Sequence, residues 1–204
     1  MINLTNIYLA ILIIASFFDL VIPLFLGLKY PNYNYLIDTI STLGTRKSPV
    51  QKQEGINLVF IGILFVIFAI GQYRLFDNVI WSNNLYLIGV LAFGIGSIFA
   101  GIYPADPKGT KESLSGKIHG IASGIGFILL IFNPLWGTFI SDFSTNRTLN
   151  IVLFVLGITS FTMFLISEKK DKGILKYTGL FQRINLIILY VGLILNFLSM
   201  QTIN

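Results

Sequence analysis

The chain has 204 residues, of which 54% are hydrophobic and only 11% charged, with a mean hydropathy of +0.79 and a net charge of +5. Soluble domains carry about 25% charged residues, so this composition excludes a soluble globule, a disordered chain, a collagen and a coiled coil. With no cysteine and one histidine, thiolate catalysis, iron–sulfur clusters, disulfide scaffolds and metal sites built on several imidazoles are also excluded, and no cofactor is expected.

A membrane-spanning helix needs about 20 mainly apolar residues. Six segments meet that length, at 6–28, 55–74, 84–103, 117–139, 149–167 and 180–201. The expected fold is therefore all-α: a polytopic integral membrane protein forming one domain over 1–204, a single bundle of six transmembrane helices. Sheets with open edges are excluded, because a bare backbone group in hydrocarbon costs several kcal/mol.

The first span is too long for a removable signal peptide and lacks both a basic start and a small-residue cleavage pattern. Asp19 sits near its middle, where an aspartate costs roughly 2.5–3.5 kcal/mol on insertion scales. Ser16, Asp19 and Pro23 recur at helical spacing and form one polar, kink-prone face that should point into the bundle. Such an aspartate reads either as a proton, cation or ligand anchor or as an internally paired group that locks the helix in place.

The connection 29–48 is long for a bundle. Tyr30, Tyr33 and Tyr35 suit the membrane interface, and Asp38, Thr39, Ser41 and Thr42 offer a carboxylate and hydroxyls just before Arg46 and Lys47. Long ordered loops carry function more often than short ones; the competing reading is an interfacial helix with its own caps. Ser48-Pro49-Val50-Gln51 has the form of a capping box with proline at the first helical position, so the second helix should start near Pro49, with Glu54 one turn inside it.

Asn83 and Asn84 are candidate caps for the third span, and Pro104 ends it. Gly96 with Ala100, and Ser97 with Gly101, repeat small residues four apart; the fourth span adds Gly116, Gly120 and Gly124. These strips let helix backbones approach closely in lipid, so spans three and four should pack together and bring Asp106 near His119. Ser115, His119 and Ser123 share one helical face. That face fits a general base with positioned partners or a structural histidine at a helix end.

The connections 1–2, 3–4 and 5–6 and their helix ends hold twelve basic residues, from Lys29, Arg46, Lys47 and Lys52 through Lys108, Lys111 and Lys117 to Lys169, Lys170, Lys172, Lys176 and Arg183; the other side holds only Arg74 and Arg147. The positive-inside rule then places those connections in the cytoplasm and both termini outside a plasma-membrane protein. The net charge is accounted for by topology, and nucleic acid is not expected as a partner. Asn3-Leu4-Thr5 and Asn146-Arg147-Thr148 match the glycosylation pattern and fall on the outer side.

Asp38-Thr39-Ile40-Ser41-Thr42-Leu43-Gly44, Ser48-Pro49, Asn57, Pro104-Ala105-Asp106-Pro107 and Gly116-Lys117-Ile118-His119, in this order and spacing, resemble the prokaryotic domain-of-unknown-function family 998. The resemblance implies a polytopic membrane protein and brings no assigned reaction. More distantly, the region near the second helix is similar to the eukaryotic family of DRAM autophagy modulators and GPI-anchor lipid-remodelling proteins, which implies association with lipid. The chain also resembles the alkaline ceramidases and adiponectin receptors in being a compact helical bundle with serine and histidine near one membrane face. Those enzymes hold zinc with three histidines and an aspartate, which a chain with one histidine cannot supply.

Asp38, Ser41, Asp106 and His119 are therefore expected to converge at the cytoplasmic ends of the helices, with Glu54 nearby and Asp19 deeper in the bundle. The functional expectation is a membrane protein of unassigned reaction that binds or handles a lipid or amphiphile in this polar pocket. The alternatives are a structural subunit of a larger membrane complex and a small lipid-modifying enzyme using His119. The partners expected are membrane lipids, with other membrane protein subunits under the second reading.

Overall fold

A computed structural model describes residues 4–75, 81–140, 144–169 and 173–201. The helices are α1 (Leu4–Gly27), α2 (Ile40–Leu43), α3 (Gln51–Leu75), α4 (Trp81–Ile102), α5 (Leu114–Ile131), α6 (Asn133–Ile140), α7 (Ser144–Lys169) and α8 (Thr178–Gln201), with a 3-10 turn at Gly173–Lys176 before α8. Among the described residues, six helical stretches are long and apolar enough to cross a membrane. The protein is thus an all-α, multi-pass membrane bundle.

Three boundaries differ from the sequence reading. The fourth span is two helices, because Pro134 has no N–H to give and its ring crowds the preceding turn, so α5 ends at Ile131 and α6 restarts at Asn133. The break is held open by Asn133, whose Nδ2 donates to Tyr86 O at 3.0 Å. At the third span, α4 begins at Trp81, so Asn83 and Asn84 lie inside its first turn and do not cap it. Ser48 Oγ accepts the Val50 N–H and Ser48 O the Gln51 N–H, which starts α3 at Gln51 without a reciprocal capping box. Of the two readings of 29–48, the segment does contain a short helix with its own cap: Thr39 caps α2 by accepting the Thr42 N–H. Asn3 and the side chain of Asn146 fall outside the described residues, as do Lys170 and Lys172.

The bundle is polar within and apolar without. On α3, Glu54, Asn57 and Gln72 are buried while Ile56, Ile63, Ile67 and Ile70 are exposed. Water would reverse this distribution; hydrocarbon favours it, since the polar groups are kept from lipid and each isoleucine meets it. An aromatic cluster fills the centre, with Phe65 edge-on to Phe93 at 5.2 Å and stacked on Tyr190 at 5.7 Å. Asparagines fasten the second half: Asn150 Nδ2 donates to Asn196 Oδ1 at 2.8 Å, and Asn185 Nδ2 to Gly157 O at 2.8 Å. Such pairs are worth about 0.6 kcal/mol on average in bilayers.

α3 runs along α4, α4 along α5, α1 along α3 and α8, and α7 along α8. Glycines set the closest of these crossings. A Cβ on Gly55 would lie 2.8 Å from Gly101 O, and one on Gly62 2.5 Å from Gly94 O, so the α3–α4 seam is backbone on backbone. Gly96 faces Ala122 and Gly126 across the α4–α5 seam. The expected strip is corrected here: Gly101 packs on α3, Gly116 lies against the Asp106 side chain, and Gly120 and Gly124 face open space, with nothing within 4 Å of a Cβ at either. Spans three and four do pack closely, but through residues 122 and 126.

At the end of the bundle where α1, α4 and the 3-10 turn finish, the connections are sewn together. The Arg46 N–H donates to Ala105 O at 3.2 Å, in an isolated bridge between Thr45 and Ala105. The N–H groups of Gly179 and Leu180 donate to Ile37 O and Leu36 O. Residues 29–48 therefore lie across this end of the helices and are anchored on two sides.

Candidate functional site

Beneath that strap lies a cavity of about 40 Å³ lined by α1, α2, α3, α4, α5 and α8. Its polar lining is Asp19, Ser41, Ser97, His119, Ser123 and Gln182; Leu58, Phe93, Phe127 and Leu186 supply apolar wall.

His119, Ser97, Ser123 and Gln182 are each held by a backbone partner. His119 is 5% exposed, and its Nδ1 lies 3.0 Å from both Ala100 O and Tyr103 O. Carbonyl oxygens only accept, so Nδ1 carries the proton, and Nε2 of the neutral ring is a lone pair. That Nε2 is buried and has no partner. Ser97 Oγ donates to Phe93 O at 2.9 Å and Ser123 Oγ to His119 O at 2.7 Å, leaving both oxygens as acceptors. Gln182 Oε1 accepts the Ile40 N–H at 2.7 Å, which fixes α2 on α8.

Asp19 is 3% exposed and accepts a hydrogen bond from Tyr190 Oη. Glu54 is wholly buried and lies within electrostatic reach of Asp19 and Arg183. Its side chain adjoins that of Asn57, yet neither Glu54 oxygen nor Asn57 Nδ2 completes a hydrogen bond. Among the described residues, no three His, Asp or Glu side chains come together as metal ligands.

The structure therefore divides the expected cluster. Ser41, His119 and Asp19 share the cavity; Glu54 does not line it and lies within electrostatic reach of Asp19. Asp38 belongs elsewhere: its carboxylate accepts the Asn34 N–H at 2.8 Å, and its carbonyl accepts from Arg183 Nη1 at 3.1 Å. Asp106 does not reach His119 either. It accepts from Ser113 N–H at 2.6 Å and Ser113 Oγ at 2.9 Å, and pairs with Arg46 at 3.8 Å. The reason is local. Ser113 caps α5 and draws the carboxylate to the helix start, while the imidazole turns toward the unpaired carbonyls that end α4.

The Ser113 N–H holds the Asp106 carboxyl below its usual value, with lesser help from Ser113 Oγ and Arg46. A carboxyl lowered on folding stabilises above its unfolded pKa of about 3.9 and loses that contribution as pH falls through its folded value. Acidification from pH 5 towards 3 should thus loosen the α4–α5 connection, and Asp106→Asn should flatten that part of a stability–pH curve; a curve unchanged by the substitution would contradict this assignment.

Three contributors were not evident from the sequence. Tyr190 supplies the donor to Asp19. Gln182 anchors α2. Arg183 gives Nη1 to Tyr35 O and Asp38 O and Nη2 to Tyr33 Oη at 2.6 Å, so it holds the strap down. Burial pushes the Tyr33 hydroxyl up to about 12, against the opposing pull of Arg183, so it stays protonated at physiological pH. Only the charge of Arg183 and the position of Tyr33 near the interface were legible beforehand.

A family model described as protein of unknown function (DUF998) matches residues 13–198. No curated protein and no solved structure matches the chain.

Proposed function

The chain belongs to the DUF998 family, and from that premise we propose that it binds or handles a membrane amphiphile, whose polar head enters the cavity beneath the 29–48 strap. The observation that carries this reading is the cavity itself: a pocket with apolar walls and a few fixed polar groups, the usual make-up of a small-molecule site, inside helices whose outer faces suit lipid.

The side of α5 supports an entry route from the bilayer. α5 leans on α4 and meets α7 where Phe127 stacks on Phe161 at 6.3 Å. Next to the cavity-lining Ser123, Gly120 and Gly124 leave a shallow open face flanked by the exposed Ile121 and Ile125. An acyl chain fits along that face while its head turns inward.

In this reading the strap-bearing end is cytoplasmic, both termini are outside, and the protein resides in the plasma membrane. The basic asymmetry supports the orientation. With no native cysteine, a Lys111→Cys variant should react with an impermeant maleimide only after cells are permeabilised. Reaction in intact cells would reverse the topology.

The function is tested by native mass spectrometry of the chain released from membranes. A retained amphiphile is expected, and Ser123→Leu, which narrows the rim without touching the buried carboxyls, should remove it. Retention identical in amount and kind in that variant would place the lipid outside the cavity and overturn the proposal.

A further inference from the structure

Resting on the amphiphile reading and deepening it, we propose that the cavity accepts an ammonium headgroup, that of a primary long-chain amine, held by Asp19 and the Nε2 lone pair of His119. The donors and acceptors around the cavity are strongly unequal. Asp19, Ser97, His119 and Ser123 line it as acceptors, because the protons of Ser97, Ser123 and His119 Nδ1 are already given to backbone carbonyls; the Ser41 hydroxyl and the Gln182 amide are the donors on the other side of the count. An ammonium group offers three donors and no acceptor. A phosphate offers chiefly acceptors and negative charge and would stand opposed to Asp19 and to the His119 lone pair. A hydroxyl offers one donor and no charge, and a quaternary ammonium offers no donor at all.

Charge points the same way. The titratable groups lining the site are Asp19 on α1 and His119 on α5; Tyr190 on α8 donates to Asp19 from behind, Glu54 on α3 and Arg183 on α8 interact electrostatically with this group, and α2 and α4 contribute the hydroxyls of Ser41 and Ser97. The one cation in this set is already engaged: Arg183 Nη1 reaches the carbonyls of Tyr35, Asp38 and Gly179, and Nη2 reaches Tyr33. Glu54 is 0% exposed with both oxygens unpartnered, and an unpaired buried carboxyl is costly whether ionised or not. A positive head beside Asp19 relieves both carboxyls. Volume agrees, since about 40 Å³ admits a water-sized group, which an ammonium is. The basic residues at this end do not line the cavity; Arg46 is engaged with Ser113 and Asp106 instead.

The test is thermal unfolding of the full chain in maltoside micelles with dodecylamine, dodecyl phosphate or dodecanol at equal mole fraction. Dodecylamine should raise Tm by about 5 °C near saturation, and the other two should not. The rise should vanish in Asp19→Asn and in His119→Phe, which keeps a ring but removes the lone pair; should Asp19→Asn fail to fold, His119→Phe decides alone. Equal rises in wild type and His119→Phe would mark a surfactant effect and overturn the proposal. A His119-dependent rise with phosphate or alcohol would overturn the ammonium assignment while leaving the amphiphile reading intact. No rise with any of the three would also overturn the ammonium assignment, and lipid retention would then judge the amphiphile reading separately.

Discussion

Gly101→Leu is expected to lower the unfolding free energy by about 3 kcal/mol, at the upper end for overpacked sites, whereas Gly120→Leu should change it by less than about 0.5 kcal/mol. The two glycines occupy similar repeats of small residues, yet their surroundings are opposite. A Cβ on Gly101 would lie 2.5 Å from Gly55 O and 3.0 Å from the Val59 N, with Val59 Cγ2 at 2.9 Å. Two of those atoms are backbone in a packed helix, so the clash is relieved only by moving α3 away from α4. That movement would break the paired contact two turns further on, between Gly62 and Gly94. Gly120 has nothing within 4 Å of its Cβ, so leucine there projects into the hydrocarbon. Unfolding in mixed micelles by titration with sodium dodecyl sulfate measures both. Similar losses at the two positions would refute the assigned seam.

Tyr190→Phe should cost about 1–3 kcal/mol, the range for leaving a buried acceptor without its partner. The phenol is wholly enclosed by the aromatic cluster and donates to Asp19, itself 3% exposed. Removing the donor leaves a buried carboxyl oxygen without its protein partner. Pairing this change with Asp19→Leu removes the acceptor as well, so the double variant should be less destabilised than the single effects predict, with a coupling of about 1–3 kcal/mol. Strict additivity would mean that the two side chains do not depend on each other.

How far these features were legible depends on which atoms make them. The six apolar stretches and their inward polar faces are side-chain properties, and they could be read residue by residue. Asp19 was recognisable as buried because no aspartate sits amid Ser16 and Pro23 on a lipid-facing surface without cost. Its partner was hidden, because Tyr190 lies in an apolar run where a tyrosine ring differs from phenylalanine by one oxygen. The break at Asn133-Pro134 carried its signal openly, since proline removes a helical N–H, but hydropathy alone runs straight through it. The split of the expected polar cluster was not legible. Asp106 is taken up by the cap of α5 and His119 by a carbonyl of α4 and that of Tyr103 just past it, and backbone partners of this kind leave no mark in a sequence. The glycine strip misled for a related reason: the repeat at Gly116, Gly120 and Gly124 is regular, but the α4–α5 seam lies on the adjacent face, at residues 122 and 126.

The central claim is that an amphiphile places its head among Asp19, Ser97 and His119. Photo-crosslinking with a long-chain amine bearing a diazirine close to the nitrogen, followed by peptide mapping, tests it directly. The adducts are predicted on residues facing the cavity, Ser97, Ser123 and Phe127 foremost, and excess unlabelled amine should suppress them. Adducts confined to outward residues such as Ile63 and Ile67, unaffected by competitor, would contradict it.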